Sequence, residues 1–179
     1  MLTTNSGVFN FYEMTDEEIQ RLLNLPKQIT DPPTKTWRTD ELHKRKDFGL
    51  ISKDGEARFR GFARQHVRFQ ENFSVGLEYE PDDGSDSVIL IRCNGPHGDF
   101  NRAANASHPH YHPHIHKASA QAIEGGLRAE SRAEITTEFS SLKEAMRYFL
   151  NAIEVDANDQ ARYFQDDLRP TQFDLEFGS

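Results

Sequence analysis

From Ala57 to Phe69 the chain alternates with a period of two. Ala57, Phe59, Gly61, Ala63 and Val67 fall on one side, and Arg58, Arg60, Arg64, His66 and Arg68 on the other. A helix cannot sort residues this way, because its faces repeat every ~3.6 residues; the run is a strand with one buried and one wetted face. Such a strand needs partners, and the flanking sequence supplies them. Asp47–Ser52 precedes it across Lys53-Asp54-Gly55, an Asp-Gly hairpin signal. After it, Phe73, Val75, Leu77 and Tyr79 alternate with Ser74, Gly76, Glu78 and Glu80. Pro81-Asp82-Asp83-Gly84 then turns the chain into Val88-Ile89-Leu90-Ile91, a short apolar run that reads as a buried strand. The pattern predicts an antiparallel meander of about four strands joined by short turns.

Helical spacing enters on either side of this meander. Thr15-Asp16-Glu17-Glu18 has the form of a capping box; Ile19, Leu22 and Leu23 follow as one apolar stripe, which Pro26 ends. The stretch from Leu25 to Thr36, with Pro26, Pro32 and Pro33, reads as loop. Ser140-Ser141 caps a second helix, with Leu142, Ala145, Met146, Phe149, Leu150 and Ile153 at core-facing spacing. Ala157–Phe164 is a candidate for a further short helix. Gly125-Gly126 break the chain, and Leu127–Phe139 fits either a strand or an irregular return. Phe173, Leu175 and Phe177 alternate as if to join a sheet edge, in this chain or in a second copy. The expected fold is α+β: an antiparallel sheet of about four to six strands packed by two or three helices. It forms one domain over 1–179, with an N-terminal helix and loop (1–34), a core (35–153) and an acidic tail (154–179).

Thirteen Phe residues furnish most of the bulky core, since Trp37 is the single tryptophan. Val88–Ile91, the longest apolar run, is far too short to cross a bilayer. The first residues lack the basic flank and apolar segment of a secretory signal. One cysteine, Cys93, excludes an internal disulfide framework. These features predict a cytoplasmic protein. The net charge of −8 disfavours nucleic acid as a whole-chain partner, yet residues 35–70 carry ten Lys/Arg against five acids. The acidity sits later, so the middle of the chain is locally basic.

Six of the eight histidines lie between Ser87 and Ser119. The apolar run ends at Asn94-Gly95-Pro96-His97-Gly98, and after a polar loop comes His108-Pro109-His110-Tyr111-His112-Pro113-His114-Ile115-His116-Lys117. Pro109 and Pro113 keep this tract out of a helix interior or a central strand. In an extended backbone His108, His110, His112, His114 and His116 would share one side. Such a row suits zinc or another divalent metal, with His112, His114 and His116 as ligands and His97 or Asp99 as a further donor. It also suits metal-free chemistry on a phosphodiester, in which His97, His114 and His116 exchange protons and Arg92 or Lys117 stabilises charge. Arg58, Arg60, Arg64 and Arg68, with Asn94, would contact the substrate, as a basic stripe meets successive phosphates. The plainer alternatives are a solvated histidine loop and an ordinary exposed strand face that Glu78 and Glu80 neutralise.

Two resemblances rest on these residues. Phe73-Ser74-Val75-Gly76-Leu77-Glu78-Tyr79, Leu90-Ile91-Arg92-Cys93-Asn94-Gly95-Pro96-His97-Gly98 and His114-Ile115-His116-Lys117-Ala118 together resemble an uncharacterised bacterial family of unknown function. That likeness covers about residues 45 to 153 and implies no activity. More distantly, the order of strand, Asn-x-Pro-His turn, loop, His-x-His-Lys and helix is similar to the TumE-like toxins of bacterial toxin–antitoxin pairs. Asn94, Pro96 and His97 match the turn, and Pro113, His114, His116 and Lys117 the later segment; Gly95 stands where alanine is usual. The resemblance implies a toxin–antitoxin or mobile-element component that binds or cleaves RNA and meets a cognate antitoxin. Alternatives are a non-catalytic protein-binding module, alone or as a homodimer, or a metal-binding protein.

Overall fold

The computed structural model describes residues 14–97 and 108–169. Eight strands form one antiparallel sheet: β1 (Lys27–Asp31), β2 (Arg38–Thr39), β3 (His43–Ser52), β4 (Arg58–His66), β5 (Phe73–Glu80), β6 (Val88–Asn94), β7 (His114–Lys117) and β8 (Ala133–Ile135). They run in the order β1-β3-β4-β5-β6-β7-β8, with β2 also pairing β3. Five helices accompany them among the described residues: α1 (Asp16–Asn24), α2 (Ala120–Glu124), α3 (Leu142–Ala152), α4 (Ala157–Tyr163) and α5 (Gln165–Leu168). The α+β class and the antiparallel sheet agree with the sequence pattern. The strand count exceeds the expected four to six, and the helix count the expected two or three. No described helix is long and apolar enough to cross a membrane.

The meander β3-β4-β5-β6 is where alternation was clearest, and Gly55 takes the φ of +83° that its hairpin turn requires. The additional strands lie where alternation is weak. β1 falls within the stretch expected to be loop; its sequence, Lys-Gln-Ile-Thr-Asp, holds one apolar residue, and backbone pairing with β3 defines it. β3 starts at His43, four residues before the apolar pattern, because His43 to Lys46 pair across to β4. β8 resolves the ambiguous Leu127–Phe139 stretch as a short edge strand against β7. β4 ends at His66, so Val67 and Arg68 lie past it in a turn. The expected edge residues Phe173, Leu175 and Phe177 lie outside the described residues, as does Asp99.

The helices begin where the sequence places their caps. Thr15 Oγ1 accepts from the Glu18 backbone N–H at 3.1 Å, and Ser141 and Glu144 form a reciprocal capping box on α3. One face of the sheet packs with the helices into a single core. Phe48 and Leu50 of β3, Phe59 and Ala63 of β4, and Phe73, Val75 and Leu77 of β5 meet Met146, Phe149 and Leu150 of α3 and Ile19 and Leu22 of α1. The residues between them in sequence necessarily face the other way. That second face carries Arg60, Phe62 and Arg64 on β4, Ser74, Gly76 and Glu78 on β5, Arg92 and Asn94 on β6, and His114 and His116 on β7. Phe62 is buried but stands apart from the core cluster, as its position on the second face requires.

Candidate metal centre

The centre lies on the second face, where β6 and β7 pair. Arg92 is opposite His116 and Asn94 opposite His114 in the ladder, and because Cys93–Ile115 lies between them the two pairs project their four side chains from the same face. His97 arrives from the turn after β6. Gly95 permits this turn: a Cβ there would sit 1.9 Å from the Glu71 carbonyl oxygen, a collision with backbone that only glycine avoids. The His97 N–H then donates to the His110 carbonyl at 2.8 Å, tying the turn to the histidine tract.

The tract is not a single extended row. Pro109–Tyr111 forms one turn of 3-10 helix, which Pro109 opens and the His108 side chain caps. Only His114 and His116 alternate on a strand. The turn brings His110 onto their side: its ring stacks on His114 with centroids 4.9 Å apart and meets His116 at 5.7 Å. Ligand nitrogens of His110, His114 and His116 all lie within 4.8 Å of one another. The triad thus contains His110 in place of the expected His112, because the helical turn replaces a period of two by a step of four. His112 instead offers its backbone carbonyl to His114. His97 lies beside the triad, its ring 4.7 Å from His110 and 4.9 Å from His114.

Hydrogen bonds orient the two strand histidines. His114 Nδ1 lies 2.7 Å from the His112 carbonyl, and His116 Nδ1 lies 2.8 Å from the Glu130 carbonyl. A carbonyl only accepts, so both Nδ1 atoms carry the proton and both Nε2 atoms keep a lone pair. His116 Nε2 is buried without a hydrogen-bond partner. The Asn94 amide nitrogen lies between His97 Nε2 and His114 Nε2, 3.3 Å from each, at the long end for a hydrogen bond.

Electrostatics keep these rings neutral. Burial lowers the pKa of His114 to about 4, and burial followed by the Arg92 charge lowers that of His116 to about 4. His97 and His110 shift downward as well, burial again being the main cause. Neutral imidazoles with converging lone pairs are the donor set that borderline divalent ions take, and main-chain carbonyls behind them fix the tautomer and the ring angle. Three histidines on one ion leave a coordination position open.

Among the described residues, five buried side-chain polar atoms have no hydrogen-bond partner: Ser74 Oγ, Arg92 Nε, Asn94 Oδ1, His116 Nε2 and Glu130 Oε1. Four belong to residues on the second face, and Glu130 holds His116 through its carbonyl. Its carboxylate, 4% exposed, is shared loosely between Arg128 at 3.2 Å and Arg92 at 3.7 Å. Buried polar atoms are overwhelmingly paired in folded proteins, so this concentration marks one place where the fold leaves bonding capacity unused.

The remaining expected site residues divide clearly. Arg92 and Asn94 belong to the centre. Lys117 alternates to the opposite side of β7 from His116 and is exposed, so it does not join the catalytic group. Arg58 pairs with Asp82 at 3.7 Å, both exposed, and Arg60 is bound by Glu78. Arg64 lies over the Phe62 ring, 5.3 Å from its centroid. Arg68 is off the strand, so the basic stripe is shorter than the alternation suggested. Glu130 and Ser74 escaped sequence reasoning: Glu130 sits in an irregular turn before β8, and Ser74 looks like any polar residue on a strand. A cleft of about 1000 Å³ lies on the helical side, lined by Lys35, Trp37, Lys46, Arg147 and Asp167 among others. Two of its cations are answered locally, Lys46 by Asp167 at 2.8 Å and Arg147 by the Leu168 carbonyl at 3.0 Å. Comparison of the chain with protein-family models, curated proteins and solved structures finds no match.

Proposed function

We propose that this chain is a metalloprotein that holds one borderline divalent ion, zinc foremost, on His110, His114 and His116, and uses the open position for metal-assisted hydrolysis. One observation carries the reading: two of the three rings have Nδ1 held by main-chain carbonyls, which leaves Nε2 as their ligand atom, and one ligand nitrogen from each ring, His110 included, lies within 4.8 Å of the others. A tetrahedral zinc site with bonds of ~2.0–2.1 Å needs nitrogens closer than the 4.8 Å limit seen here, which small ring rotations supply. When bound, an ion there would lower the pKa of a coordinated water and supply a nucleophile at neutral pH, and His97, its ring beside His110 and His114, would accept the proton.

The metal-free alternative, acid–base cleavage of RNA by His97, His114 and His116, has weaker support. It needs one imidazole that carries a proton near neutrality, and burial holds both strand histidines near 4. The RNA-directed activity that the toxin resemblance implies therefore bears on the substrate rather than on the mechanism.

The test is metal content of tag-free protein after dialysis against zinc-free buffer, by mass spectrometry. The expected result is one zinc per chain, lost in His114→Gln and His116→Gln variants that keep the wild-type circular dichroism. Wild-type protein that takes up no zinc or cobalt would sink the proposal.

A further inference from the structure

Arg92 is hard to reconcile with a site for a cation alone. It stands opposite His116 in the β6–β7 ladder, on the face that carries the histidine triad. A guanidinium that close to a divalent ion repels it, and Glu130, 3.7 Å away and divided with Arg128, offsets the repulsion only in part. Arg92 also keeps a buried Nε–H with no acceptor among the described residues. Two positive groups beside one another, one with an unused donor, are complementary to an anion set between them.

The shape of that anion follows from the other unused groups. Ser74 is opposite Asn94 in the β5–β6 ladder, so its unpartnered hydroxyl belongs to the same face. Metal, guanidinium and hydroxyl are three separate attractors, and a carboxylate has two oxygens to offer them. A tetrahedral oxyanion has enough. Beyond Ser74 the same ladder row continues through Arg64 and Arg45 to Arg38, and none of the three makes an ion pair among the described residues. At ~4.8 Å per strand this row leads more negative charge towards the centre.

We infer that the site binds a phosphoryl group, with one oxygen in the open metal position, a second on Arg92 Nε–H and a third within reach of the Ser74 hydroxyl. The inference rests on the metal reading above and gives that site its substrate class. The phosphoryl group belongs either to a small phosphoester or to the backbone of a single-stranded nucleic acid; the chemistry that Arg92 recognises is the same.

The experiment is calorimetric titration of zinc-loaded protein with inorganic phosphate, and in parallel with a short single-stranded RNA. Arg92→Gln should keep its zinc and weaken phosphate binding at least tenfold, with Arg92→Lys intermediate because it keeps the charge and loses the planar fork. If Arg92→Gln fails to fold, the Arg92→Lys step alone decides. RNA bound more tightly than phosphate, and weakened by Arg64→Gln while phosphate is not, assigns the phosphoryl group to a polymer. Equal dependence in both arms assigns it to a small phosphoester. Zinc-loaded wild-type protein that binds neither ligand, or Arg92 variants that bind phosphate as well as wild type does, overturns the inference and leaves the metal reading standing. Failure to load zinc overturns both.

Discussion

Two cations drawn out of water, Lys27 wholly and Arg92 for the most part, have very different surroundings. Lys27 is fully buried where β1 leaves α1, and its ammonium donates to the carbonyls of Leu23, Leu25 and Ile153 at 2.8 to 3.0 Å while lying over the Phe59 ring. Burial lowers its pKa to about 8, so it remains mostly charged at neutral pH and caps the ends of two helices. Arg92 is also largely withdrawn from water, yet its Nε–H has no acceptor and its acidic neighbour is not at hydrogen-bonding distance. A buried charge whose donors are all answered stabilises a fold. A charge with an idle donor adds little to the fold, and fits the anion proposed above.

The strongest way to break that comparison is to remove each cation. Lys27→Met keeps the apolar stem and strips the donors from three carbonyls, so it should cost about 3–5 kcal/mol. Arg92→Met removes a group that bonds little and should cost less than about 1 kcal/mol. Urea denaturation at neutral pH, with the m-value checked for constancy, reads both. Equal losses would mean that an unanswered donor is no guide to the site.

Acid sharpens the contrast. The folded His114 and His116 titrate near 4 instead of their ordinary 6.5. As pH falls from 6.5 towards 4 the unfolded chain takes up protons that the folded chain refuses, so stability is complete above that window and drains away within it. The metal-free protein should lose on the order of 5 kcal/mol across this range, about half from each histidine, and replacing both by glutamine should flatten the slope. Lys27→Met should shift the whole curve downward and leave the slope intact, since its region contributes no histidine.

How much of this was legible in the sequence differs between the two regions for a physical reason. Alternation reported the meander because each strand buries one face, and the helix caps were written in Thr15 and Ser141. β1 was not legible, because its stability comes from pairing with β3 and from Lys27, whose burial no hydrophobic pattern announces. At the centre, His114 and His116 followed from strand periodicity, and Asn94 and His97 from the turn. His112 was expected as a ligand because alternation was carried through the whole tract, although proline at the first position of a helical turn signals a change of period. Lys117 was assigned to the site by adjacency in sequence, whereas a strand sends neighbours to opposite faces. Glu130 and Ser74 depend on tertiary pairing and on a missing bond, and neither leaves a trace in one sequence.

The smallest expected effect is also the cleanest form of the comparison, because it involves one residue type. Ser52 is 1% exposed; its hydroxyl donates to Asp54 at 2.5 Å and accepts from the Ala57 N–H at 2.9 Å. Ser74 buries its hydroxyl with no partner among the described residues. Ser52→Ala should therefore cost about 1–2 kcal/mol, because the Ala57 amide loses its acceptor inside the hairpin. Ser74→Ala should fall within about 0.5 kcal/mol of wild type or stabilise the protein slightly, because alanine removes a desolvated group that nothing compensates. Both values come from the same urea titration of metal-free protein. A Ser74→Ala variant as destabilised as Ser52→Ala would show that its hydroxyl is already bonded within the fold, and would remove it from the set of groups that await a ligand.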